Sequence, residues 1–441
     1  MCRWSNDSLT EQEKVNVKKS SMISGFYKLS PKERVKLVKE FADLADEEVA
    51  TLQSTGALPL ELADRMIENV VGAFQVPLGI AVNFLINKKD YLIPMAIEEP
   101  SVVAAASYAA KMARDGGGFY TSSTGPIMIG QIQAVKVKDP YAARMRVIGA
   151  KEEILKKAND QDPLLVSVGG GAKDLEAKVI NTIKGQMLIT ELHVDCRDAM
   201  GPNAVNTMLE AVAPSIEKIT GGRVYLRIIS NLATKRLARA WCVVPKEAVG
   251  GEDVVDGVVQ AYAFAAADPY RAATHNKGIL NGIIGVVIAT CNDHRSVEAG
   301  AHAYAAINGH YGSLSVWEKN ENGDLVGSIE LPMAIGIIGG AIHTHPIAKI
   351  ALKILGVKTA SELGEVLAAV GLAQNLGALR ALAAEGIQRG HMRLHARNIA
   401  IAAGATSDII DTIVEKMVEE RKIRMDRAKE LIDEYKKTRK L

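Results

Sequence analysis

The chain has 441 residues, too many for one ordinary core, and 48% of them are hydrophobic, enough for two or three buried domains. A net charge of +2 and only 5% aromatic residues exclude a general nucleic-acid or membrane-surface binder. The cysteines Cys2, Cys196, Cys242 and Cys291 form no CxxC pair and no disulfide-like spacing, which points to a reduced, cytoplasmic compartment. The N-terminus lacks an apolar signal core, and no apolar run reaches about 18 residues, so no transmembrane helix is expected.

Residues 1–22 are polar and read as frayed. In "SPKERVKLVKEFADL", Ser30 is a candidate N-cap and Pro31 sits at the first helical position. "LPLELADRMIENVVGAF" has helical spacing of its apolar residues. "SVVAAASYAAKMARDGG" predicts a small-residue helix ending at Gly116 to Gly118, and "FYTSSTGPI" reads as a loop at a domain boundary. Residues 127–231 read as strand "IMIGQIQAVKV", helix "DPYAARMRVIGAKEEILKKAND", strands "LEAKVIN" and "QMLITELHVDC", helix "NAVNTMLEAVAPSIEKITGG" and strand "RVYLRIIS". This β-α-β-β-α-β order is the ferredoxin-like motif, inserted in a larger helical domain.

The larger domain resumes with the helices "DVVDGVVQAYAFAAA", "RSVEAGAHAYAAI" and "ASELGEVLAAVGLAQNLGALRALAAEG". "GSLSVWEKNENGDLVGSIELP" predicts a hairpin turning at Asn322 and Gly323. "VIATCND" reads as the end of an apolar strand, and the last segment reads as one charged, solvated helix. The fold class is therefore α+β. Its expected domains are 1–125 and 232–388 for the large domain, 126–231 for the insert, and 389–441 for a C-terminal helical flap.

Several weak signals carry chemistry. Lys277 lies in a polar island, "THNKG", between two apolar runs. Glu98 and Glu99 stand at a strand-to-helix junction, where acidic residues complement a helix dipole or serve as general acids. Asp293 follows an apolar run as either a helix N-cap or a functional carboxylate. His391 and His395 share a helix face, but Met392 stands where the glutamate of a HExxH zinc site would be. His343 and His345 face opposite ways if extended. "DCRDAMGPNAVNTM" offers an anion-binding turn at a helix N-terminus, and Gly169 to Gly171 form either a turn or a place of close ligand approach.

Longer stretches are more specific. "ENVVGAFQVPLGIAVNF", "EEPSVVAAASY", "DAMGPNAVNTMLEAVAP", "DPYRAATHNKGILNG", "HYGSLSVWEK", "AVGLAQNLGALRALAAEGIQRGHM" and "LHARNIA" together resemble class II hydroxymethylglutaryl-CoA reductases, over roughly residues 60–400. The resemblance implies reduction of hydroxymethylglutaryl-CoA (HMG-CoA) by two hydrides from NADH or NADPH to mevalonate and coenzyme A, through mevaldyl-CoA and mevaldehyde. It implies a homodimer with the active site at the subunit interface, and Glu68 to Gly72 match the family's dimerisation motif.

By position in these motifs, the implied catalytic residues are Glu99, Lys277, Asp293 and His395. Lys277 would stabilise the oxyanion, and Glu99 would move protons on the carbonyl oxygen. Asp293 would join both in one network, and His395, on a mobile flap, would protonate the coenzyme A thiolate. Ser101, Arg271 and Asn281 match positions that hold the acyl part. Asp198, Ala199, Met200, Gly201 and Asn203 match the dinucleotide turn. Asp162 matches an acidic position near the adenosine ribose and favours NADH, since a carboxylate repels the NADPH 2′-phosphate. No metal is expected. The family commonly has glycine where this chain has Cys291. Two other readings remain: the same enzyme oxidising mevalonate, and a metal-dependent hydrolase using His391, His395 and Glu99.

Overall fold

The computed structural model describes residues 19–384, 387–406 and 408–438, and of 387–394 and 437–438 the backbone alone. Cys2, most of the polar N-terminal stretch and the His391 side chain lie outside the described residues. In chain order the first elements are α1 (Pro31–Ala42), α2 (Asp46–Gln53), β1 (Leu78–Ile86), β2 (Lys89–Ala96), α3 (Val102–Asp115) and β3 (Phe119–Ser123). Then come β4 (Ile127–Val135), α4 (Pro140–Gly149), α5 (Lys151–Asn159), β5 (Gly171–Thr182), β6 (Gly185–Asp195), α6 (Pro202–Thr220) and β7 (Arg223–Ser230). The chain continues with β8 (Leu237–Val244), α7 (Glu252–Ala267), α8 (Pro269–Ala289), α9 (His294–Ala305), β9 (Ser315–Lys319) and β10 (Leu325–Pro332). It ends with α10 (Pro346–Leu355), α11 (Ala360–Ala384), α12 (Ile387–Ala402), α13 (Ile410–Glu419) and α14 (Met425–Thr438).

The strands form two sheets. The larger has six strands in the order β2-β1-β3-β8-β10-β9, and the smaller has four in the order β5-β6-β4-β7. All pairings in the smaller sheet are antiparallel, and α4, α5 and α6 pack on it around Met128, Ile132, Leu192, Val205 and Leu209. That core is separate from the core of the larger sheet, which includes Phe84, Met95, Phe119, Ile283, Trp317 and Leu367. The helix α11 runs through the larger core and packs on α8, α3 and α7. Small residues allow the close approach: a Cβ on Gly371 would meet Ile283 Cδ1 at 2.7 Å. By length and composition α11 could cross a membrane, contrary to the expectation from run length, but 67% of its apolar window is buried inside the protein.

Some local readings hold and others need correction. Ser30 caps α1 in a capping box, accepting from Glu33 N at 3.3 Å while Glu33 accepts from Ser30 N at 2.7 Å. The β9–β10 hairpin turns at Asn322 and Gly323, the latter at φ 82°. "FYTSS" is not a loop: β3 bridges β1 and β8 in the larger sheet. "VIATC" is not a strand but the end of α8. The helical spacing near residue 60 yields only one turn, Leu60–Ala63, before an irregular path to β1. The charged C-terminal helix is two helices, broken where Arg421 adopts φ 54°. It is not merely solvated: α12, α13 and α14 enclose a third core of Ala396, Ala400, Ile413, Met417, Leu431 and Ile432.

Candidate active site

Helix α8 presents the lysine. Asp268 caps it, accepting from Arg271 N at 2.7 Å, and Pro269 starts it. Gly282 lies against Val370 and Gln374 of α11, and Gly285 lies against Met95 of β2. The helix is thus clamped between α11 and the sheet. Lys277 and Asn281, four residues apart, share a face. That face meets the loop after β2. Glu99 Oε2 accepts from Lys277 Nζ at 2.7 Å and from Asn281 Nδ2 at 3.4 Å. The Lys277 and Glu99 side chains are 58% and 35% exposed, so the pair faces accessible space. A fixed ammonium beside a carboxylate can stabilise a developing oxyanion and exchange a proton with it.

Two residues further on, Ser101 holds φ 76°, a left-handed conformation that costs a non-glycine residue about 1–2 kcal/mol. It stands at the N-cap of α3 yet makes no capping bond, and its buried Oγ has no hydrogen-bond partner. Such strain marks a hydroxyl held for something other than the helix end. Glu99 and Ser101 line a groove of about 1510 Å³ that runs along residues 22–35, past Lys28, Lys32, Arg34 and Lys111.

Asp293 does not join the Lys277–Glu99 pair, contrary to the three-residue network expected from the sequence. It caps α9, its Oδ1 accepting from Arg295 N and Arg295 Nε, both at 3.1 Å, and from Ser296 N at 3.3 Å. Burial pushes its carboxyl up, but the Arg295 guanidinium and the two amides outweigh this and hold it below the ordinary carboxylate value. Its neighbour Cys291 is half-buried at φ 51°. That backbone conformation favours glycine.

Asp293 and Cys291 line a second cleft, of about 580 Å³, with Gln161, Asp162, residues 199–204 and residues 338–342. Ala199, Met200, Gly201, Asn203 and Asp162 are therefore brought together. Gly201, at φ 104°, precedes α6, and a Cβ there would lie 2.3 Å from Cys196 Sγ. The buried Arg236 guanidinium donates to the carbonyls of Ala199 at 3.1 Å and Met200 at 3.2 Å, fixing the turn. Asp198 departs from its expected place: its carboxylate accepts from Ala360 N at 2.8 Å, at the start of α11. It ties the turn to α11 and is absent from the cleft lining. Asp162 accepts from Leu165 N at 2.9 Å and still lines the cleft. The glycine run resolves as a turn, because Cβ atoms on Gly169, Gly170 and Gly171 would strike Arg197, Leu165 and Asn159. The cleft suits a dinucleotide: it offers the first amides of a 19-residue helix to a pyrophosphate and one carboxylate to a ribose.

Other candidates stand apart. Arg271 is six residues before Lys277 on α8, about 9 Å along the axis, and its guanidinium has no hydrogen-bond partner among the described residues. His395 is exposed on α12 and is not brought to Glu99 or Lys277. Glu99 is thus paired with a lysine and an amide rather than with histidines. His343 lies in the helical turn Ala341–Thr344 and His345 just follows it, so the two are not extended. Gln374, missed in the sequence, packs on Gly282 beside Asn281 with a buried Oε1 lacking a partner. Its signal was a polar residue within an otherwise apolar helix. The described residues also bring Asp174, Glu176 and His193 within 4.8 Å of one another. Lysines already neutralise both carboxylates: Lys151 pairs with Asp174, and Lys235 with Glu176 at 3.4 Å.

Residues 30–396 match the family model described as hydroxymethylglutaryl-coenzyme A reductase. The chain is 65% identical over 414 residues to 3-hydroxy-3-methylglutaryl-coenzyme A reductase of Archaeoglobus fulgidus, covering 94% of each chain. Among solved structures, it resembles the Streptococcus pneumoniae 3-hydroxy-3-methylglutaryl-coenzyme A reductase with a TM-score of 0.81 and 40% identity, over 93% of this chain and 99% of that one. A structure described as the class II enzyme of S. pneumoniae bound to NADPH in open conformations matches with a TM-score of 0.79 and 39% identity, over 92% and 100% of the two chains.

Proposed function

The chain belongs to the hydroxymethylglutaryl-coenzyme A reductase family, and from that premise we propose how its residues divide the work. The activity is that of an NAD(P)H-dependent oxidoreductase, which converts HMG-CoA to mevalonate and coenzyme A. The observation that carries the division of roles is the contact of Lys277 and Asn281 with Glu99 beside the groove.

Bound nicotinamide supplies the hydrides. Lys277 stabilises the negative charge that develops on the thioester oxygen, and Glu99 delivers and recovers its proton. Ser101, Arg271 and Asn281 hold the acyl part, with the Arg271 guanidinium on the free carboxylate. Asp293, on the wall of the cleft, is separated from Lys277 by about the last three turns of α8, so it tunes the pair only across the proposed subunit interface. His395 reaches the site only if α12 swings, which is the expected behaviour of a flap that protonates the departing thiolate.

Residues 126–231 act as the ferredoxin-like dinucleotide domain. The support is the β-α-β-β-α-β order and the antiparallel order β5-β6-β4-β7. Residues 1–125 and 232–388 form the substrate domain, and 389–441 the flap, which is supported by its own core. Asp162 favours NADH in a cytoplasmic homodimer. The test is cofactor oxidation with HMG-CoA, counting NADH or NADPH consumed per coenzyme A thiol released. Two per thiol is expected, and one per thiol would sink the reading. The Asp162→Ala variant should move kcat/KM toward NADPH; an unchanged ratio removes Asp162 from that role.

A further inference from the structure

His275 lies on α8 one turn beyond Arg271 and two residues before Lys277, and it is 2% exposed. Three groups from two other segments surround its Nε2: Ser315 Oγ at 2.8 Å, Ser313 Oγ at 2.9 Å and Asn375 Nδ2 at 3.2 Å. The proton positions follow from groups that have no choice. Trp317 Nε1 can only donate, and it lies 2.6 Å from Asn375 Oδ1, which fixes that amide's orientation. Ser315 Oγ lies 2.8 Å from the same Oδ1, and Ser313 Oγ lies 2.7 Å from the Ser315 carbonyl. Neither contact is possible without a hydroxyl proton between the oxygens, and each serine has one. Both hydroxyls can therefore only accept from the imidazole. Two acceptors at short distance outweigh one amide nitrogen at 3.2 Å. His275 is thus the tautomer protonated at Nε2.

Its Nδ1 then carries a bare lone pair. That atom is buried and has no hydrogen-bond partner in the protein. A buried acceptor without a donor is costly and calls for a cause. Helix side chains lean toward the N-terminus, so the ring covers the turn that bears Arg271. Burial first, and the Arg271 charge second, push the imidazole down to about 4, so it stays neutral beside the guanidinium. Asn276 adds rigidity: it accepts from Leu314 N at 3.0 Å and donates to Gly312 O at 2.8 Å. The 311–315 loop is thereby bolted to α8.

We propose that His275 is a positioning residue for substrate recognition, its Nδ1 lone pair, unpartnered here as the Arg271 guanidinium is, taking up that guanidinium and turning it toward the free carboxylate when substrate binds. This rests on the reading above that Arg271 takes that carboxylate. The test uses two isosteric variants of the full-length enzyme. His275→Gln keeps a donor for Ser315 but offers no acceptor at the Nδ1 position. His275→Asn restores an acceptor there and loses the Ser315 bond. For His275→Gln, KM for HMG-CoA rises about tenfold, the scale of one hydrogen bond to a charged group. Its kcat stays close to wild type. Inhibition by free 3-hydroxy-3-methylglutarate weakens in step, while inhibition by free coenzyme A is unchanged. His275→Asn recovers most of the KM despite a lower Tm. Should His275→Gln fail to fold, Ser315→Ala, which frees the ring without altering it, shifts KM in the same direction. Unchanged KM, or equal weakening of coenzyme A inhibition, overturns the inference. Arg271→Ala separates the two levels. If it too leaves KM unchanged, the reading of Arg271 fails and takes this inference with it. If it raises KM while His275→Gln does not, only the inference falls.

Discussion

Lys277 and Glu99 are joined across 178 residues of sequence by one 2.7 Å contact, and each is partly open to solvent. An exposed pair of this kind adds little to stability. Its persistence is therefore better explained by chemistry, and removing it should separate activity from folding. We expect Lys277→Ala to lower kcat about 10²–10³-fold, the cost of one oxyanion donor. The thermal midpoint and circular dichroism should be unchanged. Near wild-type kcat would refute the role. Cys291 makes the opposite prediction. At φ 51° it carries left-handed strain of about 1–2 kcal/mol, partly offset by the 0.5–1 kcal/mol of backbone entropy that glycine loses on folding. Cys291→Gly should therefore raise the thermal midpoint slightly, and Cys291→Val should lower it because branching at Cβ worsens the same clash. A fall in the midpoint for glycine would show that Cys291 contributes packing that outweighs its strain.

At the level of elements, the 198–201 turn proposed for the cofactor is held from behind rather than by its own sequence. Gly336 makes the contact. A Cβ there would lie 2.7 Å from Met200 N and 2.9 Å from Asp198 O, both backbone atoms that cannot swing aside. Asn292 locks the same residue, accepting from Gly336 N at 2.8 Å and donating to its carbonyl at 3.0 Å. Gly336→Ala should displace residues 198–200 and raise KM for the nicotinamide cofactor several-fold more than KM for HMG-CoA. Equal effects on both would show that the turn is not the element disturbed. None of this support was legible in the sequence, since it joins segments that are at least 44 residues apart. The turn itself was legible, because an apolar strand running into a glycine and a helix that starts on proline is a local pattern. The start of α1 was legible for the same reason. Helix α8 was not. Its run "IIGVVIA" is rich in β-branched residues and has no polar position, so it carries no amphipathic period to separate helix from strand. Packing of Gly282 and Gly285 against α11 and β2 decides the matter.

For the whole molecule, the least legible segment is the one between α2 and β1. Its apolar residues have helical spacing, yet the helix stops at Ala63. Beyond it Ile67, Val71 and Phe74 are 67%, 99% and 95% exposed. A single chain offers these side chains nothing to bury against, and sequence patterning cannot distinguish a face meant for the chain's own core from one meant for a second copy. A contiguous exposed apolar segment of this kind marks an interaction surface. A dimer formed through it would be isologous, so each residue counts twice. Burying one such side chain contributes about 1.5–3 kcal/mol, and its loss from both protomers removes about 3–6 kcal/mol. That corresponds to roughly 10²–10⁴-fold weaker association. Phe74→Glu should therefore dissociate at concentrations where the wild type is dimeric, as read by analytical ultracentrifugation. The Lys277–Glu99 pair lies elsewhere, on α8 and after β2, so any activity loss must act through assembly. Specific activity of Phe74→Glu should then fall on dilution with the same midpoint as dissociation. A variant that remains dimeric, or a monomer that retains full activity, would break the link between this segment and the active site.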